Sequence, residues 1–206
     1  MMNKQSVIFS LTKVFLLFVL VVLTNDAFAQ KPKKEPKPTI YKNLNDALKD
    51  TALVTHLSLK GKGLDSIPSE VYLFENLVYL DLSKNKLTEI PKEIIAIPGL
   101  RYLSVSKNNI DTIYSWIDQM DLLEELIINQ NPIKYLPASI QGCVSLQYID
   151  AWGTEISTLP EEIANTPNLR LIDLQSINMS DKQQLALIES MQGKIKLELS
   201  HPCDCQ

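Results

Sequence analysis

The sequence predicts an α/β fold: a short, right-handed, curved solenoid lined on its concave side by a parallel β-sheet and closed by helical caps at both ends. Three observations predict it. A pair of apolar residues flanking one outward residue recurs every 23 positions. The stretch around each pair alternates like a half-buried strand. An asparagine keeps one column through the central coils, where a buried turn needs a side chain that both donates and accepts.

In chain order, the start stands apart from the fold. Lys4 and Lys13 precede the apolar run Val14–Leu23, and Ala27-Phe28-Ala29 has the small-x-small spacing of a cleavage site. Residues 1–29 therefore read as a cleaved signal peptide. The competing reading is a retained anchor, for which the apolar run is short. Export places the mature chain in the periplasm, at the cell surface or in the medium. Residues 30–40, beginning QKPKKEPKPT, alternate proline with lysine and read as an extended, solvated linker. This segment could also tether the protein to an anionic envelope polymer or lipid.

The repeat begins next. Leu57/Leu59, Leu80/Leu82, Leu103/Val105, Leu126/Ile128, Ile149/Ala151, Ile172/Leu174 and Ile195/Leu197 stand 23 residues apart. A lead apolar position keeps step as Val54, Leu77, Leu100, Leu123, Leu146 and Leu169. So does an Ile/Leu-Pro element at Pro68, Pro91, Pro137 and Pro160, with Tyr114 as its exception. Alternation at each pair makes a short strand, and the proline keeps the return segment out of the sheet. Each coil buries its apolar face only against its neighbours.

The segments LVYLDLSKNKLTEIPKEI (77–94) and LEELIINQNPIKYLPASI (123–140) resemble the leucine-rich repeat family motif LxxLxLxxNxLxxIPxxI. They are most similar to bacterial exported arrays with "LP" or "IP" in the second half. The resemblance spans Val54 to Leu199. It implies a horseshoe fold and protein–protein recognition, without a catalytic activity.

The asparagine column runs Lys62, Asn85, Asn108, Asn131, Thr154, Ile177, Ser200, so the ladder is expected to be structural and to loosen at its ends. Residues 41–53 are expected to form an N-terminal cap, with a helix in NLNDALKD (43–50) covering the first sheet edge. Residues 54–179 carry the repeats. Residues 180–206 form the C-terminal cap: Ser180 and Gln183 have capping-box spacing ahead of a helix over 181–192, followed by a strand over 194–199 with charge on its edge.

Few residues could do chemistry. The 206-residue chain has a formal charge of −4, two histidines and three cysteines. The acidity argues against nucleic acid as a partner, since such binders carry a basic face. No phosphate loop, nucleophile elbow or paired-histidine helix is present, so the chain is expected to be no enzyme and to need no cofactor or metal. Cys143 falls in an apolar return column and reads as a core thiol. Cys203 and Cys205 lie roughly 10–14 Å of stacked coils away, beyond the ~7 Å reach of a disulfide to Cys143. A tight bridge between Cys203 and Cys205 would fit an oxidising compartment.

The concave face is the expected contact surface. Register aims Tyr79, Tyr102, Tyr148 and Leu171 outward before the first inward residue. It aims Asp81, Ile127, Asp150 and Asp173 outward between the pair, and Trp152 just after it. Tyr79 and Tyr102 should be neighbours, and Ile127, Tyr148, Trp152 and Leu171 should form an apolar patch. Rigid aromatic side chains bury much area at low entropy cost. The three aspartates read as ligand-binding or solubility charge. A monomer binding a protein partner, or else a polysaccharide, through this face is the leading expectation; a tethered envelope spacer is the other.

Overall fold

The computed structural model describes residues 38–175, 180–191 and 193–199. The signal segment, most of the linker, Ile177, Ser200, Cys203 and Cys205 lie outside them.

A single parallel sheet of eight strands runs in strict chain order. The strands are β1 (Ile40–Tyr41), β2 (His56–Ser58), β3 (Tyr79–Asp81), β4 (Tyr102–Ser104), β5 (Glu125–Ile127), β6 (Tyr148–Asp150), β7 (Leu171–Leu174) and β8 (Lys196–Leu199). From β2 to β7 each strand pairs with residues 23 positions on, as in Leu57↔Leu80↔Leu103↔Leu126↔Ile149↔Ile172. All six of those side chains are fully buried. They line one continuous core with the lead residues and the return-segment positions Val71, Ile94, Ile117, Ile140 and Ile163. Each such side chain contributes roughly 1.5–3 kcal/mol on burial, and none could do so within an isolated coil.

The return segments are five-residue 3-10 turns: Ser69–Leu73, Lys92–Ala96, Ser115–Gln119, Ala138–Gly142 and Glu161–Asn165. Proline stands just ahead of four of them. Its φ is already compatible, it has no N–H to leave unpaired, and its carbonyl accepts from the buried residue three positions on, as in Ile94 N to Pro91 O at 3.1 Å. Tyr114 takes the same role in the exceptional coil, accepting from Ile117 N at 3.2 Å. Proline is thus convenient at this corner rather than required.

The asparagine ladder is structural, as the sequence indicates. Asn108 Oδ1 accepts from Leu87 N at 3.0 Å, and its Nδ2 donates to Leu82 O at 3.1 Å and Val105 O at 2.7 Å. Asn131 repeats the pattern on Ile110 N, Val105 O and Ile128 O. Asn85 accepts from both Lys62 N and Leu64 N and donates to Leu59 O and Leu82 O. At Thr154 only one bond survives, from Oγ1 to Ala151 O at 2.8 Å.

Both ends differ in detail from expectation. At the first edge the helix α1 covers only Leu44–Ala47, with Asn43 Oδ1 accepting from Asn45 N at 2.9 Å. The edge of β2 is instead paired by β1, so Ile40, assigned from the sequence to the linker, belongs to the sheet. Two residues after a proline-rich run are too short to show alternation. At the other end α2 covers Asp181–Met191. The Gln183 side chain accepts from both the backbone N–H and the hydroxyl of Ser180, one half of a capping box. The strand is shorter than expected, and its register differs. Ile172 and Leu174 pair with Leu197 and Leu199, 25 residues on, and not with Ile195 and Leu197. The last coil replaces a 3-10 turn with an eleven-residue helix and consumes two more residues. A slip of two leaves inward and outward faces unchanged, so alternation alone carries no sign of it.

Candidate functional site

Strands of three residues give each coil two outward positions, and parallel pairing at about 4.8 Å stacks them into columns. The first column starts with His56, Tyr79 and Tyr102. Their rings stack, with His56–Tyr79 centroids 5.5 Å apart at 15° and Tyr79–Tyr102 centroids 4.3 Å apart at 11°. The expected contact between Tyr79 and Tyr102 is therefore present, and the histidine extends it. The rings turn their faces to one another, so they present edges and hydroxyls rather than broad planes to solvent. Burial, with nearby carboxylates, pushes both tyrosine hydroxyls above their ordinary pKa, and burial lowers that of His56. Burial thus favours the uncharged form of all three rings.

Farther along, Glu125 pairs with Tyr148 and Tyr148 with Leu171. Tyr148, Trp152 and Leu171 are all half-buried. Ile127 departs from expectation: at 9% exposure it adds almost nothing to an apolar patch, lying between Ser104 and Asp150 in its column. Burial first, then Asp150, Asp173, Glu198 and Glu125, pushes the Tyr148 hydroxyl up to about 12. Four carboxylates thus act on one phenol, and this half of the face is acidic.

The aspartate trio has a role that composition did not reveal. Asp81 Oδ1 accepts from Ser83 N at 2.9 Å, Asp150 Oδ1 from Trp152 N at 3.4 Å, and Asp173 Oδ1 from Gln175 N at 3.0 Å. Each closes an Asx turn where the chain leaves the sheet. The other oxygen of Asp81 accepts from Ser58 Oγ at 3.1 Å, and that of Asp150 from Asn129 Nδ2 at 2.6 Å. Asp81, only 8% exposed, is a turn-former with little left for a ligand. Desolvation raises the pKa of Asp150 despite these bonds. Asn129 and Ser58, which hold these carboxylates, were not singled out from sequence. The signal available was an aspartate recurring at the third strand position of three coils.

Cys143 is fully buried, as its column implies. Its thiol donates to Ile117 O at 3.1 Å, and burial, then Asp118 and Asp121, pushes its pKa up to about 12. Among the described residues no three His, Cys, Asp or Glu side chains are grouped to hold a metal ion, and no helix is long and apolar enough to cross a membrane.

The family model "Leucine rich repeat" matches residues 52–110 and 75–133. These intervals contain the asparagine ladder and the central strands. The fold is a leucine-rich repeat solenoid. Solved leucine-rich repeat structures agree. A leucine-rich repeat protein of Leptospira interrogans superposes with a TM-score of 0.67 at 29% identity over 78% of this chain and 40% of its own. Internalin C2 of Listeria monocytogenes gives 0.61 at 22% identity, over 74% of this chain and 64% of its own. The ectodomain of the Arabidopsis thaliana membrane receptor kinase GASSHO1/SCHENGEN3, solved in complex with Casparian strip integrity factor 2, gives 0.58 at 24% identity, over 73% of this chain and 18% of its own. No curated protein matches the sequence. The present chain spans less than two thirds of each of these structures, and the two below 25% identity speak for the fold alone. A leucine-rich repeat fold suggests protein–protein recognition as a class of function, and such proteins are generally non-enzymatic scaffolds.

Proposed function

We propose that this is an exported, non-enzymatic leucine-rich repeat protein that recognises a protein partner through its concave sheet, with a polysaccharide as the second class of ligand for that face. The observation that carries the reading is the polarised aromatic face: the His56–Tyr79–Tyr102 stack at one end, and Tyr148, Trp152 and Leu171 among carboxylates at the other. All but Trp152, two residues past the end of β6, stand on strands of one hydrogen-bonded sheet, so their positions are fixed before a partner arrives. Export rests on residues 1–29.

The test replaces Tyr79, Tyr102, Tyr148 and Trp152 by alanine, verifies folding by circular dichroism, and compares partners captured from the source envelope with those of the parent chain. Loss of a specific captured protein supports the assignment. Unchanged capture by a folded variant rejects the face.

A further inference from the structure

We infer that the loop edge of the first three coils is a second contact surface, separate from the concave face, that docks a flexible anionic glycan. Lys60 and Lys62 of the first coil, Lys84 and Lys86 of the second and Lys107 of the third are all exposed just beyond the C-terminal ends of β2, β3 and β4. The ion pairs among the described residues are Lys49–Asp46, Arg101–Glu124 and Lys196–Glu198, and none involves these five lysines. At about 4.8 Å per coil they form a strip roughly 10 Å long.

Backbone geometry adds an independent observation. Lys84 and Lys107 have φ of 58° and 56°, in the left-handed region. The same corner holds Gly61 one coil before Lys84, Gln130 one coil after Lys107 and Gly153 one coil farther on, with φ of 66°, 52° and 64°. Glycine occupies this corner without strain, and lysine is not among the side chains that tolerate it. Three successive coils keep a non-glycine side chain at this corner, and the two in the basic stretch are cations. The strain therefore belongs to the corner of the repeat, and what the first coils add to it is charge. The backbone at both sites is held rigid, Lys84 N donating to Ser106 O at 2.8 Å and Lys107 N to Asn129 O at 3.0 Å.

The chemistry selects the occupant. Lysines offer point charges and no bidentate forks. Among the described residues the nearby His56–Tyr79–Tyr102 stack turns its rings on one another, so nucleobases find no broad platform there. The same edge turns acidic farther on: Glu155 occupies the column of Lys86, and Asp150 and Asp173 lie on the strands beside it. A flat anionic membrane would meet both halves of the edge and be repelled by one. A narrow, flexible polyanion engages the basic half alone. An acidic glycan, with one carboxylate or sulfate every few ångströms, fits that description.

The probe is a fluorescent heparin octasaccharide, with anisotropy measured on the full chain. The reference ligands are neutral dextran, single-stranded DNA of equal charge and phosphatidylglycerol vesicles. Binding at about 0.05 M salt should weaken steeply by about 0.2 M. The double variant Lys84→Gly/Lys107→Gly removes two charges while relieving two strained turns. Its affinity should fall about tenfold or more, with a thermal midpoint equal to or above the parent's. Tyr148→Ala/Trp152→Ala should bind heparin normally, which separates this surface from the concave one. Equal affinity of the glycine variant and the parent overturns the inference. So does binding of DNA or vesicles as tightly as heparin, or no binding of heparin at low salt.

Discussion

Asn108→Ala is expected to destabilise the array by about 2–4 kcal/mol, and the figure follows from which partners are shared. The three carbonyls that Asn108 serves each have another donor: Leu82 O also accepts from Asn85 Nδ2 at 2.8 Å, Val105 O from Asn131 Nδ2 at 2.9 Å, and Ser106 O from Lys84 N at 2.8 Å. Removing the amide therefore strands none of them. The N–H of Leu87 is different, because the Asn108 oxygen is its partner at 3.0 Å and Leu87 is 1% exposed. One orphaned buried donor costs about 1–3 kcal/mol, and losing the shared bonds to carbonyls that keep another partner adds about 1 kcal/mol in all. Urea unfolding of the full chain measures the total, and amide exchange at Leu87 isolates the orphan. A loss under about 0.5 kcal/mol, or a Leu87 amide as protected as in the parent, would refute the reasoning.

Thr166→Val should raise stability by about 1 kcal/mol in the same unfolding assay, because Thr166 Oγ1 is buried and finds no partner among the described residues, and deleting an unsatisfied hydroxyl removes its desolvation cost. Gly142→Ala should lower stability by about 1–3 kcal/mol, since a Cβ there would stand 2.8 Å from Asp118 Cβ. Desolvation holds the folded-state pKa of Asp150 above its ordinary value. The folded chain then holds its proton more tightly, so this group's contribution to stability falls as pH rises from that value through the raised one. Asp150→Asn, which can still accept from Trp152 N, should consequently gain in thermal midpoint relative to the parent at pH 7 compared with acidic pH; an advantage that is the same at both would contradict it. Cys143, its pKa pushed up to about 12, should resist alkylation at mildly alkaline pH until the chain is unfolded, as read by mass spectrometry of the tryptic peptide.

The apolar columns were legible because they repeat: Leu80, Leu103 and Leu126 mean little singly, but a fixed interval puts them in one core. Outward columns followed from the same register, which is why the Tyr79–Tyr102 contact could be read in advance. Four features were not legible, each for its own reason. The pairing of Leu197 with Ile172 involves an even slip that alternation does not register. Strand β1 has two residues, too few for a pattern. The burial of Ile127 is set by neighbours in adjacent coils, and whether an outward side chain ends up covered is a property of the packed column. The aspartates were read by charge when their hydrogen-bonding reach to the residue two positions on was the controlling property.

Sharing within the asparagine ladder also fixes an order of events on unfolding. Leu82 O and Val105 O keep a partner when either adjacent rung opens, whereas beyond Asn131 the column passes to Thr154, whose single bond stays within its own coil. The hinge of weakness thus falls on the C-terminal side. Under force or heat the stack should peel from β8 toward β5, while the middle rungs, each backed up by the next, come apart last and together.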